Sequence, residues 1–153
     1  MKPESIPSIS EFRHKVPVQI RFNDIDILGH LNNTVYFSFY DTGKAYYFKE
    51  IRGEKMNWKR VDTVIANVNC AYINSIVFGD SIVCYTRCLE LKEKSFRLQQ
   101  MLVREPDGMV MSVCETVMVS FDPDTATSTP LDPEWRRLFQ EYEQRDLSEN
   151  KSV

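Results

Sequence analysis

Residues 33–51 carry the pattern that most restricts the fold. Tyr36, Phe39, Tyr40, Gly43, Tyr47 and Ile51 recur every three or four positions, a spacing that puts them on one face of a long helix. Asn32 or Asn33 can cap its start, because a short amide side chain accepts hydrogen bonds from the free N–H groups of a first turn. Gly43 in mid-helix costs about 1 kcal/mol relative to alanine, which close approach of the helix to a sheet would offset. The aromatic stripe reads as core before it reads as a ligand surface. From the end of this helix to residue 121 the chain is strand-like, with no second convincing helix. One helix with an aromatic face needs a sheet to cover it, so the expected class is α+β, an antiparallel sheet curled around one long helix.

The strands are read from alternation. Val16, Val18, Ile20 and Phe22 alternate with Pro17, Gln19, Arg21 and Asn23, predicting a half-buried strand with its proline near the start or at an edge. Within residues 62–73, Val64, Ala66, Val68, Cys70 and Tyr72 alternate with a face carrying Asn67 and Asn69. Residues 82–91 are apolar on both faces at several positions, as suits a central strand. Residues 96–104 follow, then 109–121, where Met109, Met111, Val113, Val117, Val119 and Phe121 share a face. Turn signals at Phe78-Gly79-Asp80 and Glu105-Pro106-Asp107-Gly108 separate these segments, and short turns imply antiparallel neighbours. Asp132-Pro133-Glu134 supplies an N-cap, a first-turn proline and a first-turn acid to a closing helix bearing Trp135, Leu138, Phe139 and Tyr142. The expected organisation is a flexible arm over residues 1–15, one domain over 16–146 and a polar tail over 147–153.

Composition excludes several classes of function. A net charge of −3 and the lack of a basic run argue against nucleic acid as a partner. The first residues lack the apolar core of a secretory signal and no apolar stretch is long enough to span a bilayer, so a cytoplasmic protein with no membrane partner is expected. Cys70, Cys84, Cys88 and Cys114 form no C-x-x-C pair and neither His14 nor His30 is grouped with them. That predicts buried free thiols, no metal site and no cofactor.

The chemistry-bearing stretch is RFNDIDILGHLNNTVYF, residues 21–37. Asp24 and Asp26 are two residues apart and would point the same way in an extended segment, where like charges raise one carboxyl pKa toward that of a general base. A capping role for one and a solvated role for the other explains the same residues. His30, next to Gly29, either orients a substrate carbonyl or bonds the loop backbone. The N–H groups of the helix start, around residues 32–34, form a positive end able to polarise a carbonyl. There is no G-x-S-x-G elbow, Walker loop or G-x-G-x-x-G. The residues themselves therefore point to a carboxylate-based site for hydrolysis or proton transfer.

The segment VPVQIRFNDIDILGHLNNTVYFSFYDTGKAYYF resembles the hotdog-fold acyl-CoA thioesterases of the 4-hydroxybenzoyl-CoA thioesterase type. Their pattern is a strand ending R-[FY]-x-D-x-D, then G-H-x-N-N, then an aromatic helix. The resemblance implies a hotdog fold and an acyl-CoA thioesterase with Asp26 as general base or nucleophile. It implies that His30 assists and that the backbone N–H near Asn33 polarises the thioester carbonyl. Tyr36 and Tyr40 are the expected substrate-binding residues, joined by Asn67 or Asn69, contributed by a second subunit of a homodimer or homotetramer. Leu28 stands where plant acyl-carrier-protein thioesterases have a catalytic asparagine, and Ser75 replaces a common proline. The alternatives are an acyl-carrier-protein thioesterase, a non-catalytic acyl-thioester-binding protein, or a hydratase on the same fold.

Overall fold

The structure is a computed structural model and describes residues 5–60 and 62–148. The outermost parts of the expected arm and tail, residues 1–4 and 149–153, lie outside the described residues. The long helix, α1, spans Asn33–Arg52 and is capped by Asn32, whose side chain accepts the Thr34 N–H at 3.1 Å. Strands β1 (His14–Val18), β2 (Thr63–Tyr72), β3 (Ser81–Leu91), β4 (Ser95–Glu105) and β5 (Met109–Asp122) form one antiparallel sheet in the order β1-β3-β4-β5-β2. A two-residue strand, β6 (Thr127–Ser128), pairs with the end of β5. The last helix, α2 (Pro133–Glu143), starts on Asp132, which accepts the Glu134 N–H at 2.9 Å. Among the described residues no helix is long and apolar enough to cross a membrane.

Tight turns make β3, β4 and β5 antiparallel neighbours, as the sequence predicts. The topology departs from simple succession at β2, which pairs with β5 while β3 pairs with β1. The connection over residues 73–80 is too long for a tight hairpin and carries the chain from one edge of the sheet to the strand beside the other.

The sheet curls around α1. Toward the helix start, Tyr36, Phe39 and Tyr40 pack with Ile76, Ile82, Cys84, Leu102 and Met111. Toward its end, Tyr47, Phe48 and Ile51 pack with Phe96, Leu98, Trp135 and Phe139, so α2 closes that end of the barrel. Complete burial of a side chain such as Phe96 or Phe139 stabilises by roughly 1.5–3 kcal/mol. Between the two clusters Gly43 meets the sheet: a Cβ there would lie 2.5 Å from Cys84 Sγ and 2.9 Å from Gln100 Nε2. The helix propensity lost at Gly43 is therefore exchanged for direct backbone-to-sheet contact.

Three boundaries differ from expectation. The first strand begins at His14, inside the stretch read as an arm, and Phe12 is buried on the outer face of the sheet with Val83, Tyr85 and Met101. It ends at Val18, because a 3-10 turn over Phe22–Asp24 breaks the alternation and leaves Phe22 85% exposed, its ring edge-on to Phe78. At the other end Leu147, read as the start of the tail, is buried, its carbonyl accepting the Leu91 N–H at 2.7 Å.

Candidate active site

The loop between β1 and α1 is built from its own polar groups. The Asp24 carboxylate is buried and accepts the Arg21 N–H at 2.8 Å and the Arg21 guanidinium at 3.4 Å, while the Asp24 carbonyl accepts the Asn32 N–H at 2.9 Å. Ile25 and Leu31 then pair across a tight loop. Inside it the Asp26 N–H donates to the His30 carbonyl and the Gly29 N–H to the Asp26 carbonyl, each at 3.0 Å. Gly29 has φ +80°, a conformation that side chains resist. Asp26 Oδ1 accepts the Leu28 N–H at 2.9 Å, the usual aspartate turn. Its other oxygen has no hydrogen-bond partner among the described residues. The expectation that Asp24 and Asp26 face the same way is thus corrected. The 3-10 turn replaces an extended segment, committing Asp24 to holding the chain and leaving Asp26 half-buried at a cleft.

That cleft has a volume of about 310 Å³. Asp26, Leu28, His30 and Leu31 form one side, Asn33 and Tyr36 of the first helical turn another. Tyr72, Ile73, Asn74 and Ser75 form a third. The far loop is tied on by the Leu31 N–H, which donates to the Ile76 carbonyl at 2.8 Å, and by Tyr72, whose hydroxyl donates to the Asn33 carbonyl at 3.2 Å. The Tyr36 and Tyr72 rings meet edge to face at 4.8 Å. Burial raises both phenols above their ordinary values, so at neutral pH both are protonated donors. At the helix start the Thr34 N–H is used by Asn32 Oδ1 and the Val35 N–H by the Asn32 carbonyl. The Asn33 N–H has no acceptor among the described residues, and it stands at the positive end of a 20-residue helix.

The structure therefore gathers Asp26, His30, Asn33 and Tyr36 around one cleft, with His30 exposed. Tyr40 lies one turn deeper, fully buried, its hydroxyl donating to Ser112 Oγ at 2.6 Å. Asn67 and Asn69 sit on β2, exposed and away from this chain's own cleft. The third wall, residues 72–75, is missed by the sequence reading of the site. Its one signal is Tyr72 ending a strand just before a turn. A second concavity at the other end of α1 holds Arg52, Lys55 and Arg60, but Asp62, Glu134 and Asp124 pair with them in turn, so it presents no unneutralised cation cluster. Among the described residues no group of three or more His, Cys, Asp or Glu could hold a metal ion.

A sheet curled around one helix, with a cleft where that helix begins, defines the hotdog class of fold. The model of the thioesterase-like superfamily matches residues 20–139, which include the whole cleft, and this chain belongs to that superfamily. The long-chain acyl-CoA thioesterase FadM of Escherichia coli is 24% identical over 127 residues, 81% of this chain and 95% of that protein. The Bacillus subtilis protein YsmA is 27% identical over 81 residues, so the chain spans about half (54%) of that relative's length. Among solved structures, a Thermus thermophilus thioesterase complexed with coenzyme A and Zn superposes with a TM-score of 0.81 at 26% identity, covering 91% of this chain and 100% of that one.

Proposed function

We propose that this protein hydrolyses acyl-CoA thioesters to a carboxylate and free coenzyme A, with Asp26 as general base or nucleophile. The observation that carries the reading is the meeting, in one cleft, of a carboxylate oxygen without a protein partner and an unused N–H at a helix start. The thioester carbonyl oxygen takes the Asn33 N–H. Asp26 either attacks the carbonyl carbon or takes a proton from a water that does so. Negative charge then develops on the carbonyl oxygen, where a preorganised donor is worth roughly 10²–10³ in kcat. The C–S bond breaks and the thiolate leaves; a thiol pKa of about 8.5 lets it depart without a strong acid. On the nucleophile route, water then opens the mixed anhydride. His30 orients or polarises the carbonyl from the cleft rim, and Tyr36 contacts the acyl group.

The proposed working unit is a homodimer or homotetramer in which β2 of two copies pair. The free edge of β2 supports this, with Val64, Ile65 and Val68 partly exposed beside it. Such pairing would bring Asn67 or Asn69 to the partner's cleft. A thiol-release screen over aliphatic and aromatic acyl-CoAs tests the activity, and turnover of at least one series is expected. Binding of acyl-CoA without release of thiol from any of them would instead favour a non-catalytic carrier. Hydrolysis confined to acyl-carrier-protein thioesters would move the substrate class.

A further inference from the structure

We infer that Cys70 and Cys114 form a thiol pair that a small hydroperoxide converts, reversibly, into a cross-strand disulfide beside the cleft. The two residues lie directly opposite each other where β2 pairs with β5. Just beyond the end of β2, the Ile73 N–H donates to the Met111 carbonyl at 2.9 Å, which makes 73/111 a hydrogen-bonded pair. Antiparallel pairs alternate, so 71/113 and 69/115 are also hydrogen-bonded and 70/114 is not. Non-hydrogen-bonded partners have Cα atoms about 4.5 Å apart, within the roughly 4.4–6.8 Å that a disulfide spans. The bulge in this ladder, between Ile65 and Asn67, lies outside the stretch concerned.

The surroundings divide the labour between the two sulfurs. Cys70 is half-buried and Cys114 fully buried, packed in the cluster that holds Tyr40 and Leu102. Cys70 is therefore the thiol that a solute reaches, and Cys114 the one that resolves. Donation from the Cys114 thiol holds Cys70 below the ordinary thiol range against the effect of burial, with help from the Ser112 hydroxyl at 3.5 Å. The same contact and burial push Cys114 upward. The other two thiols lack this arrangement. Cys84 faces Leu102 and Val16 in the ladders, Cys88 faces Leu98, and burial raises both well above the ordinary value.

The reaction balances as a two-electron oxidation. The Cys70 thiolate attacks one peroxide oxygen, the O–O bond breaks, and a sulfenic acid and an alcohol or water result. The Cys114 sulfur then attacks the Cys70 sulfur, hydroxide leaves, and it departs as water with the Cys114 proton. Two thiols and one hydroperoxide become one disulfide, one water and one alcohol or second water. A dithiol reverses it by exchange. The bridge forms whether or not the cleft hydrolyses thioesters, so a failed hydrolysis assay leaves it standing.

The test uses the intact protein with hydrogen peroxide, followed by alkylation and non-reducing mass spectrometry after chymotrypsin, which separates Cys70 from Cys84 by cutting at Tyr72 or Phe78. Two of the four thiols should be lost per chain, in a link joining Cys70 to Cys114 that dithiothreitol opens. In Cys114→Ser, Cys70 should stop at a sulfenic acid trapped by dimedone, whereas Cys70→Ser should leave Cys114 unlabelled. Even loss of all four thiols, a Cys70–Cys70 link between chains, or dimedone labelling of Cys114 in Cys70→Ser would overturn the inference.

Discussion

Replacing Gly43 by alanine separates helix propensity from packing, because the two predict opposite signs. On propensity alone the variant gains about 1 kcal/mol. The structure places the new Cβ 2.5 Å from Cys84 Sγ, 2.9 Å from Gln100 Nε2 and 3.2 Å from Thr86 Oγ1. Apolar contacts settle near 3.5–4.0 Å, so α1 and the sheet would have to part by roughly 1 Å. Neither near neighbour gives way easily. Cys84 is a short, fully buried side chain, and Gln100 Nε2 is held by the Tyr40 carbonyl at 3.0 Å and Thr86 Oγ1 at 2.9 Å. Overpacking of this kind costs about 1–3 kcal/mol, and disturbing the Gln100 bonds adds about 1 kcal/mol. The net expectation is destabilisation by about 2 kcal/mol, which for a chain of this size lowers Tm by roughly 4–8 °C. Urea unfolding should show a lower midpoint at unchanged slope. Adding Cys84→Ala should recover part of the loss, with a coupling of roughly 1 kcal/mol or more. Equal or greater stability of the single variant would refute the close-contact account.

Asp24→Ala should lower stability by about 2 kcal/mol, since it removes a buried carboxylate that bonds the Arg21 N–H, and a Tm unchanged from wild type would count against its structural role. His14 carries a pH dependence. Burial holds its imidazole below the ordinary 6.5, although Glu50 lies 3.3 Å away and pulls the other way, and the Tyr47 ring covers it. The neutral ring is therefore the folded form. Its contribution is complete above about pH 6.5 and is lost as pH falls through the lower folded value. His14→Gln should flatten the decline in Tm between about pH 7 and 5, and an unaltered slope would exclude His14 as its source.

Much of the fold was legible because local rules and tertiary packing agree. The stripe from Tyr36 to Ile51, the Asn32 cap and the Asp132-Pro133 start of α2 each state their own structure. What was hidden depends on contacts between distant residues. Nothing local at Val64 or Val68 says that β2 pairs with β5 rather than with the strand that follows it. Phe22 continues an apolar alternation in sequence, yet the Asp24–Arg21 contact closes a turn that throws it outward. Of the cleft that forms the candidate site, one continuous stretch was legible, from Asp26 to Tyr36. Its third wall arrives from residues 72–75, about forty positions away, and only the folded chain brings Tyr72 against Asn33. Tyr40 shows the same limit. Periodicity puts it on the same face as Tyr36, but depth separates a fully buried hydroxyl bonded to Ser112 from a side chain on the cleft wall.

The most direct test of the account is the turnover of Asp26→Asn on whichever acyl-CoA the wild type hydrolyses best. Asparagine keeps an oxygen for the Leu28 N–H and so keeps the turn, but it supplies neither a base nor a carboxylate nucleophile. The expected result is a fall in kcat of about a hundred-fold or more, with Tm and oligomer size unchanged. Wild-type turnover by that variant would contradict it.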